Sequence, residues 1–115
     1  MIIACDVKGT LEGPKKKQVL RILDIFEKIG YSVVVWSSVY SYARDAVKSN
    51  KMTTAKAQEK ADIWNTPKES FYSFAVEDDV GQGKWLAANK FIYVKDIPEE
   101  MTSVDLFVKE LLEGQ

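Results

Sequence analysis

The sequence predicts an α/β fold, in which about five parallel strands form a single three-layer, Rossmann-like domain with helices on both faces of the sheet. Two observations lead to this prediction. Short apolar runs rich in Val and Ile recur along the chain, and amphipathic stretches separate several of them. Such runs are typical of strands buried on both faces of a parallel sheet, and the amphipathic stretches are typical of helices that cover it. A chain of 115 residues also suits one domain with one core.

Five runs are predicted as strands, because each is apolar, too short for a helix and followed by polar or turn-forming residues. The first run ends at Asp6, and Gly9 permits a tight turn soon after it. The second run, S-V-V-V-W, is β-branched, which favours a strand. The predicted strands are residues 2–5, 32–36, 61–64, 71–76 and 91–94.

Helices are predicted between and after these strands. Residues 15–29 carry apolar side chains at intervals of three and four, and Gly30 provides the stop. Ser103 is the predicted N-cap of the last helix, whose apolar residues fall on one face. The polar residues 50–60 are predicted to be a loop or an extension of the preceding helix. The other two predicted helices cover residues 40–48 and 85–88.

Composition excludes several classes of function. The chain has 16 basic and 17 acidic residues and a net charge of −1, so it offers no global attraction for nucleic acid or an acidic membrane. It has no histidine, which excludes a Ser-His-Asp triad and a histidine-ligated zinc site. Its single cysteine, Cys5, excludes an intramolecular disulfide, and the cytoplasm is the simplest expected location. The apolar run before Asp6 is too short for a signal peptide or a spanning helix, so no membrane partner is expected.

Polar side chains follow several of the predicted strands. Asp6, Ser37, the region of Lys68 and the acidic run at residues 77–79 each come after an apolar run. In a parallel sheet all strand carboxyl ends lie at one edge, where ligands of open α/β folds bind, so these groups are expected to converge. Carboxylates from separate strands suit Mg²⁺, and a hydroxyl, a lysine and free turn amides suit a phosphoryl group.

The motifs at these strand ends resemble those of the haloacid dehalogenase superfamily, a family of aspartate-nucleophile phosphatases. Residues 6–10 read D-V-K-G-T and match the family's first motif, D-x-D-G-T, except at the third position. Ser37 at the end of an apolar run fits the second motif, and V-E-D-D at residues 76–79 fits the acidic fourth motif. Lys68 is our choice for the lysine of the third motif, with Lys60 as the alternative.

The resemblance implies how a phosphorylated substrate, whose identity is open, would be handled. Asp6 would be the nucleophile that accepts the phosphoryl group, while Ser37 and Lys68 would hold the phosphoryl oxygens. The family often carries a cap domain between its motifs, but the intervals here hold only a helix and a modest connection. A site without a cap suits a macromolecular substrate, or a small one enclosed by another subunit of a homo-oligomer.

The resemblance also implies a Mg²⁺ cofactor and its ligands. Asp6 and Asp78 would hold the ion, assisted by the backbone carbonyl of Lys8. Glu77 or Asp79 would lie behind these ligands and hold them in place. All of these residues belong to the two most specific motifs, the one after the first strand and the acidic run.

Lys8 departs from the family's pattern at the position of the general acid and base. A lysine with an ordinary pKa of about 10.4 is only about 0.04% neutral at pH 7, so it can donate a proton but rarely accepts one. The sequence therefore predicts a Mg²⁺-dependent phosphohydrolase with impaired turnover. One alternative is a catalytically inactive binding domain on the same fold. The other is a response-regulator-like receiver, although a receiver carries its acidic pair after the first strand, where this chain has a single Asp6.

Overall fold

The structure, a computed structural model, describes residues 1–114 and contains a five-stranded sheet. Its strands are β1 (Ile2–Asp6), β2 (Ser32–Ser37), β3 (Lys56–Glu59), β4 (Tyr72–Glu77) and β5 (Ala88–Tyr93). Every pairing between neighbours is parallel, and the strands lie in the order β3-β2-β1-β4-β5. The predicted α/β fold with a five-stranded parallel sheet is confirmed.

Four helices connect and follow the strands. They are α1 (Lys16–Lys28), α2 (Tyr40–Ser49), α3 (Val80–Gly83) and α4 (Met101–Glu113). Four apolar side chains of α1 recur at helical spacing and are buried, namely Val19, Ile22, Leu23 and Phe26, which explains why this segment is a helix that packs on the sheet. Gly30 ends it with a φ of 104°, and the amide of Tyr31 donates to the carbonyl of Phe26. Within residues 1–114, none of the helices combines the length and the apolar character needed to cross a membrane.

The three long helices pack on one face of the sheet. Ile3 and Cys5 of β1 point to this face and share a core with α1, α2 and α4. Ala4 points the other way, into a smaller core that contains Trp36 and Leu86. The second face is thus covered mainly by the connections on either side of β4, which hold a 3₁₀ turn and the four-residue α3.

The third strand lies outside the segment that the sequence predicts. Residues 61–64 were expected to form it, and residues 50–60 a loop or a helical extension. Instead β3 occupies Lys56–Glu59, and the 61–64 segment forms only an isolated antiparallel bridge from Asp62 to Leu86. The reason is that β3 is an edge strand whose side chains are largely exposed, so it needs no apolar run.

Boundaries in the last third of the chain also differ from the prediction. The short helix expected near residues 85–88 lies earlier, at Val80–Gly83, because Asp79, the last residue of the acidic run, caps it. The strand expected at residues 91–94 also begins earlier, at Ala88. The last helix starts at Met101 rather than after a Ser103 N-cap, since the Ser103 amide already donates to the carbonyl of Glu100.

Candidate functional site

The candidate site lies where the chain reverses its direction of winding across the sheet. β1 is followed by β2 on one side, whereas its other neighbour, β4, leads to β5 on the opposite side. Such a switch point opens a crevice at the strand carboxyl ends, where open α/β folds bind ligands. Asp6 is the last residue of β1, Glu77 is the last residue of β4, and Asp78 follows it. The pairing of Cys5 with Val76 brings these strand ends side by side.

Lys60 forms ion pairs with the carboxylates at the ends of β1 and β4. Its Nζ atom lies 3.0 Å from Oδ1 of Asp6 and 3.1 Å from Oε1 of Glu77. It also donates to Oε1 of Gln82 at 2.7 Å. Lys60 directly follows β3, and its amide donates to the carbonyl of Ser37, which continues the pairing of β3 with β2. The ammonium group thus has three oxygen partners in a largely buried position.

Lys68 does not reach this site. It lies in the exposed 3₁₀ turn Lys68–Ser70, which precedes β4 and so lies at the amino end of that strand. Since all five strands are parallel, that end is the opposite edge of the sheet from Asp6. The expectation that Lys68 follows a strand is corrected, because the predicted strand at residues 61–64 is absent from the sheet. Lys60, the alternative, occupies the position that was expected for Lys68.

Glu77 is a fully buried carboxyl group. Its Oε2 accepts a hydrogen bond of 3.3 Å from Nε1 of Trp36, and its Oε1 faces Lys60. Burial, followed by the nearby charge of Asp6, raises the pKa of Glu77 from 4.5 to about 7, against the opposing effect of Lys60 and Trp36. Both oxygens are therefore bound within the protein, and Glu77 is placed to hold Lys60.

Asp6 and Asp78 present a second pair of carboxyl groups. Burial and the contact with Asp78 raise the pKa of Asp6 from 3.8 to about 6, with Lys60 acting in the opposite direction. The hydroxyl of Thr10 donates to Oδ2 of Asp6 at 3.4 Å. Each of Asp6, Glu77 and Asp78 has a carboxylate oxygen within 4.8 Å of one on the other two. Carboxylates this close repel one another unless a proton or a cation lies between them.

This donor set fits a divalent cation. Three clustered carboxylates match the preference of hard cations for oxygen ligands, and Asp78 is exposed, so an ion can reach it from solvent. Lys60 supplies only one positive charge to the three carboxylates, which leaves the cluster negative. The donor set alone does not distinguish Mg²⁺ from another hard cation.

The turn after β1 packs directly against Asp78. Gly9 has a φ of 77°, and a Cβ atom built on it would overlap the carboxyl group of Asp78. The turn is closed by backbone hydrogen bonds from the amides of Thr10 and Glu12 to the carbonyl of Val7. The glycine of the D-V-K-G-T segment therefore sets both the turn and the approach of the acidic run.

Ser37 and Lys8 line the same cavity of about 240 Å³ as Asp6. Ser37 is the last residue of β2, and its hydroxyl oxygen accepts from the amide of Val39 at 3.2 Å. The Nζ atom of Lys8 lies 4.6 Å from the ring centroid of Tyr42 on α2, a cation–π contact. The Lys8 ammonium is thus held by α2 at the margin of the site.

Asp79 has a structural partner of its own. Its Oδ1 accepts from the amides of Gly81 at 2.8 Å and Gln82 at 3.3 Å, which caps α3. The cap also orients Gln82, whose side chain accepts from Lys60. The sequence prediction included neither Gln82 nor the Trp36 contact with Glu77. Only the position of Gln82 just after the acidic run could have suggested it.

Comparisons with known proteins give no relative for this chain. No protein-family model, curated protein or solved structure matched it significantly. The resemblance to the haloacid dehalogenase superfamily thus stays a prediction from the motifs.

Proposed function

We propose that this chain is a phosphoryl-transfer enzyme that uses Mg²⁺ and accepts the phosphoryl group on Asp6. The observation that carries the proposal is the contact of Lys60 with both Asp6 and Glu77, beside the exposed carboxylate of Asp78. A carboxylate nucleophile needs a nearby cation to offset the charge of an incoming phosphate, and Lys60 supplies one 3.0 Å away.

Asp6 can attack phosphorus because its buried carboxylate is held in place and still lines the cavity. Its Oδ1 contacts Lys60, while its Oδ2 has only the 3.4 Å contact with Thr10 and the neighbouring Asp78. In the proposed step an Asp6 oxygen forms the bond to phosphorus, and the bond from phosphorus to the ester oxygen breaks. The ester oxygen leaves with the bonding pair and takes up a proton from solvent water. Asp6 is left as a mixed anhydride, an aspartyl-phosphate.

The remaining residues bind and orient. Asp6 and Asp78 would hold Mg²⁺ with the main-chain carbonyl of Lys8, and the bound ion would neutralise charge on the phosphoryl oxygens. Glu77 holds the Lys60 ammonium towards Asp6, and the hydroxyl of Ser37 lines the cavity where phosphoryl oxygens would lie. These roles agree with those that the family resemblance implies, except that Lys60 replaces Lys68.

Lys8 makes hydrolysis the slow step. Release of the phosphoryl group from Asp6 needs a base that takes a proton from water, and the Lys8 ammonium lies against Tyr42 instead. We therefore expect the phosphorylated form of the wild-type chain to persist.

The experiment is detection of that covalent form. Incubation of the wild-type chain with Mg²⁺ and acetyl phosphate or p-nitrophenyl phosphate should add one phosphoryl group per chain, seen by intact mass and removed by hydroxylamine. Lys8→Asp should convert the adduct into turnover and raise phosphate release by about 10²–10⁴-fold. Asp6→Asn should abolish both results, whereas Asp105→Asn on the exposed face of α4 should change neither.

A binding domain without catalysis is the second candidate, and the observation that favours it is Lys8 itself. If the Lys8→Asp variant folds, binds Mg²⁺ and still neither becomes phosphorylated nor hydrolyses any member of a broad phosphoester panel, the enzyme proposal fails. The site would then be a phosphate- or cation-binding site on this fold.

A further inference from the structure

Two tryptophan side chains lie exposed beside the candidate site. Trp64 is 72% exposed and Trp85 is 46% exposed, and their ring centroids are 6.3 Å apart with the planes 33° from parallel. Large aromatic side chains are mostly buried in proteins, so an exposed pair that packs together is a candidate binding surface.

The pair is held in place by the backbone. The amide of Ile63 donates to the carbonyl of Trp85 at 2.9 Å, and the amide of Ala87 donates to the carbonyl of Ala61 at 2.8 Å. These two bonds flank the isolated antiparallel bridge from Asp62 to Leu86, which brings the two tryptophans side by side. Asp62 orders the turn beyond it, because its Oδ1 accepts from the Trp64 amide at 2.9 Å. Trp64 is thus exposed on an ordered turn, which favours binding because little entropy remains to be lost.

The tryptophan pair is continuous with the site. It lines a cavity of about 250 Å³ that shares Ser38, Lys60 and Gln82 with the cavity around Asp6. The two cavities therefore adjoin at Lys60, so a group attached to a phosphate at Asp6 has room to reach the indole rings.

The lining of this cavity favours a flat ring over a polyhydroxylated one. Asp62 already accepts from Asn65 with both of its oxygens, and the side-chain oxygen of Gln82 accepts from Lys60. A sugar needs many free donors and acceptors, whereas a nucleobase can bind through its face alone by stacking on an aromatic side chain.

We propose that Trp64 and Trp85 form a stacking site for the nucleobase of a substrate whose phosphate is presented to Asp6, so that the substrate class is nucleotides or nucleotide-bearing phosphate esters. This inference names the substrate of the proposed function and rests on it for the phosphate position. The stacking itself requires only the indole rings and their exposure.

The test compares binding of adenosine 5′-monophosphate, ribose 5-phosphate and adenosine to the wild-type chain, with Ca²⁺ in place of Mg²⁺ so that a hard cation still offsets the charge of the carboxylates, and with intact mass to check that no phosphoryl group is transferred to Asp6. Calorimetry should show that the nucleotide binds about 10–100-fold more tightly than ribose 5-phosphate. Adenosine should quench the emission of the exposed tryptophans. Trp64→Ala or Trp85→Ala should remove most of the nucleotide's advantage and leave ribose 5-phosphate binding unchanged.

Two controls separate stacking from damage to the fold. The Phe variants Trp64→Phe and Trp85→Phe should keep part of the advantage, because they keep a ring. Leu106→Ala removes a similarly exposed apolar side chain from α4 and should change nothing. An equal affinity for the nucleotide and ribose 5-phosphate, or an advantage that survives both Ala variants, would overturn the proposal. So would sedimentation showing a dimer that the Ala variants dissociate, because the tryptophans would then be an interface between copies.

The outcomes also separate this inference from the proposed function. Adenosine has no phosphate, so tryptophan-dependent quenching by adenosine supports the stacking site even if Asp6 is never phosphorylated. Phosphorylation of Asp6 without any preference for a base would leave the proposed function intact and remove the nucleobase site.

Discussion

At the scale of single residues, the ion pairs of Lys60 with Asp6 and Glu77 fix the position of these side chains in the site. Lys60 faces two carboxylates at about 3 Å, and one of them, Glu77, is fully buried. A buried ion pair gains little over apolar residues of the same volume, because desolvation offsets the attraction. Removal of one partner is different, since it leaves an uncompensated charge inside the protein.

We therefore expect Lys60→Met to destabilise the fold by about 3–5 kcal/mol, as is typical when one partner of a buried pair is removed. Denaturant unfolding with EDTA present measures the change. Lys84→Met is the matched control, because Lys84 is exposed, and it should alter stability by less than about 0.5 kcal/mol. The double variant Lys60→Met with Glu77→Gln should recover part of the loss. A Lys60→Met variant as stable as the wild type would show that Lys60 does not compensate Glu77.

At the scale of elements, the turn between β1 and α1 connects two of the site's motifs. Gly9 belongs to the first motif and touches Asp78 of the acidic run. Gly30, which ends α1, also has a positive φ, but a Cβ atom there would meet nothing within 4 Å. Substitutions at these two glycines therefore distinguish the cost of backbone strain, which both share, from the effect of contact with Asp78, which only Gly9 has.

Gly9→Ala and Gly30→Ala should each lose about 1–2 kcal/mol of stability from the left-handed backbone conformation. Gly9→Ala should lose more, because the added methyl group displaces the Asp78 carboxylate, and its affinity for Mg²⁺ should fall several-fold. Calorimetric titration with Mg²⁺ measures the affinity, and Gly30→Ala should match the wild type. Equal Mg²⁺ affinity in all three proteins would argue against Asp78 as a ligand.

Most of the elements could be predicted from the sequence, and the exceptions share a cause. β1, β2 and β4 are central strands, and their apolar runs identify them. β3 has the polar sequence K-A-Q-E. It pairs on one edge only and its side chains are mostly exposed, so it needs no apolar run by which a strand could be recognised. Misplacing the third strand also led to the wrong lysine at the site. Lys68 was chosen because it follows residues 61–64, whereas β3 ends at Glu59 and is followed by Lys60.

The site residues that lie at the ends of clearly predicted strands could be identified from the sequence. Asp6, Ser37 and the acidic run follow well-defined strands, and the structure brings them to one edge. The sequence could not show that Glu77 turns inwards to Lys60 while Asp78 stays exposed, because that depends on strand alternation at the last residue of β4. The tryptophan pair depends on an isolated bridge between segments about 20 residues apart, which no local pattern reveals.

At the scale of the whole molecule, the clustered carboxylates couple stability to pH. The pKa of Asp6 and that of Glu77 are both raised in the folded state, to about 6 and about 7. The folded chain therefore binds more protons than the unfolded chain between about pH 4 and pH 7, so its stability falls as the pH rises through that window. The exposed carboxyl groups of Asp62 and Asp105 have lowered pKa values, and their opposite effect lies at more acidic pH.

In EDTA we expect the melting temperature to fall by on the order of 5–10 °C between pH 5 and pH 7.5. Mg²⁺ should reduce the fall, because an ion at Asp6 and Asp78 stabilises their charged forms in the folded state. Glu77→Gln should flatten the profile, while Glu113→Gln, an exposed change on α4, should not. Thermal melts across this range provide the measurement. A melting temperature that rises steadily with pH in EDTA would contradict the placement of these carboxyl groups.

The position of β3 at the margin of the sheet has a consequence for motion. β3 has four residues, pairs only with β2 and lies largely in solvent, so the free energy needed to open it is lower than that needed to open the central strands. Lys60 follows β3 without an intervening residue. A brief fraying of this strand would carry the ammonium away from Asp6 and Glu77 while β1, β2 and β4 remain paired. We therefore expect the backbone amides of β3 to exchange with solvent hydrogen faster than those of the central strands, even though Lys60 is held by its contacts with Asp6 and Glu77.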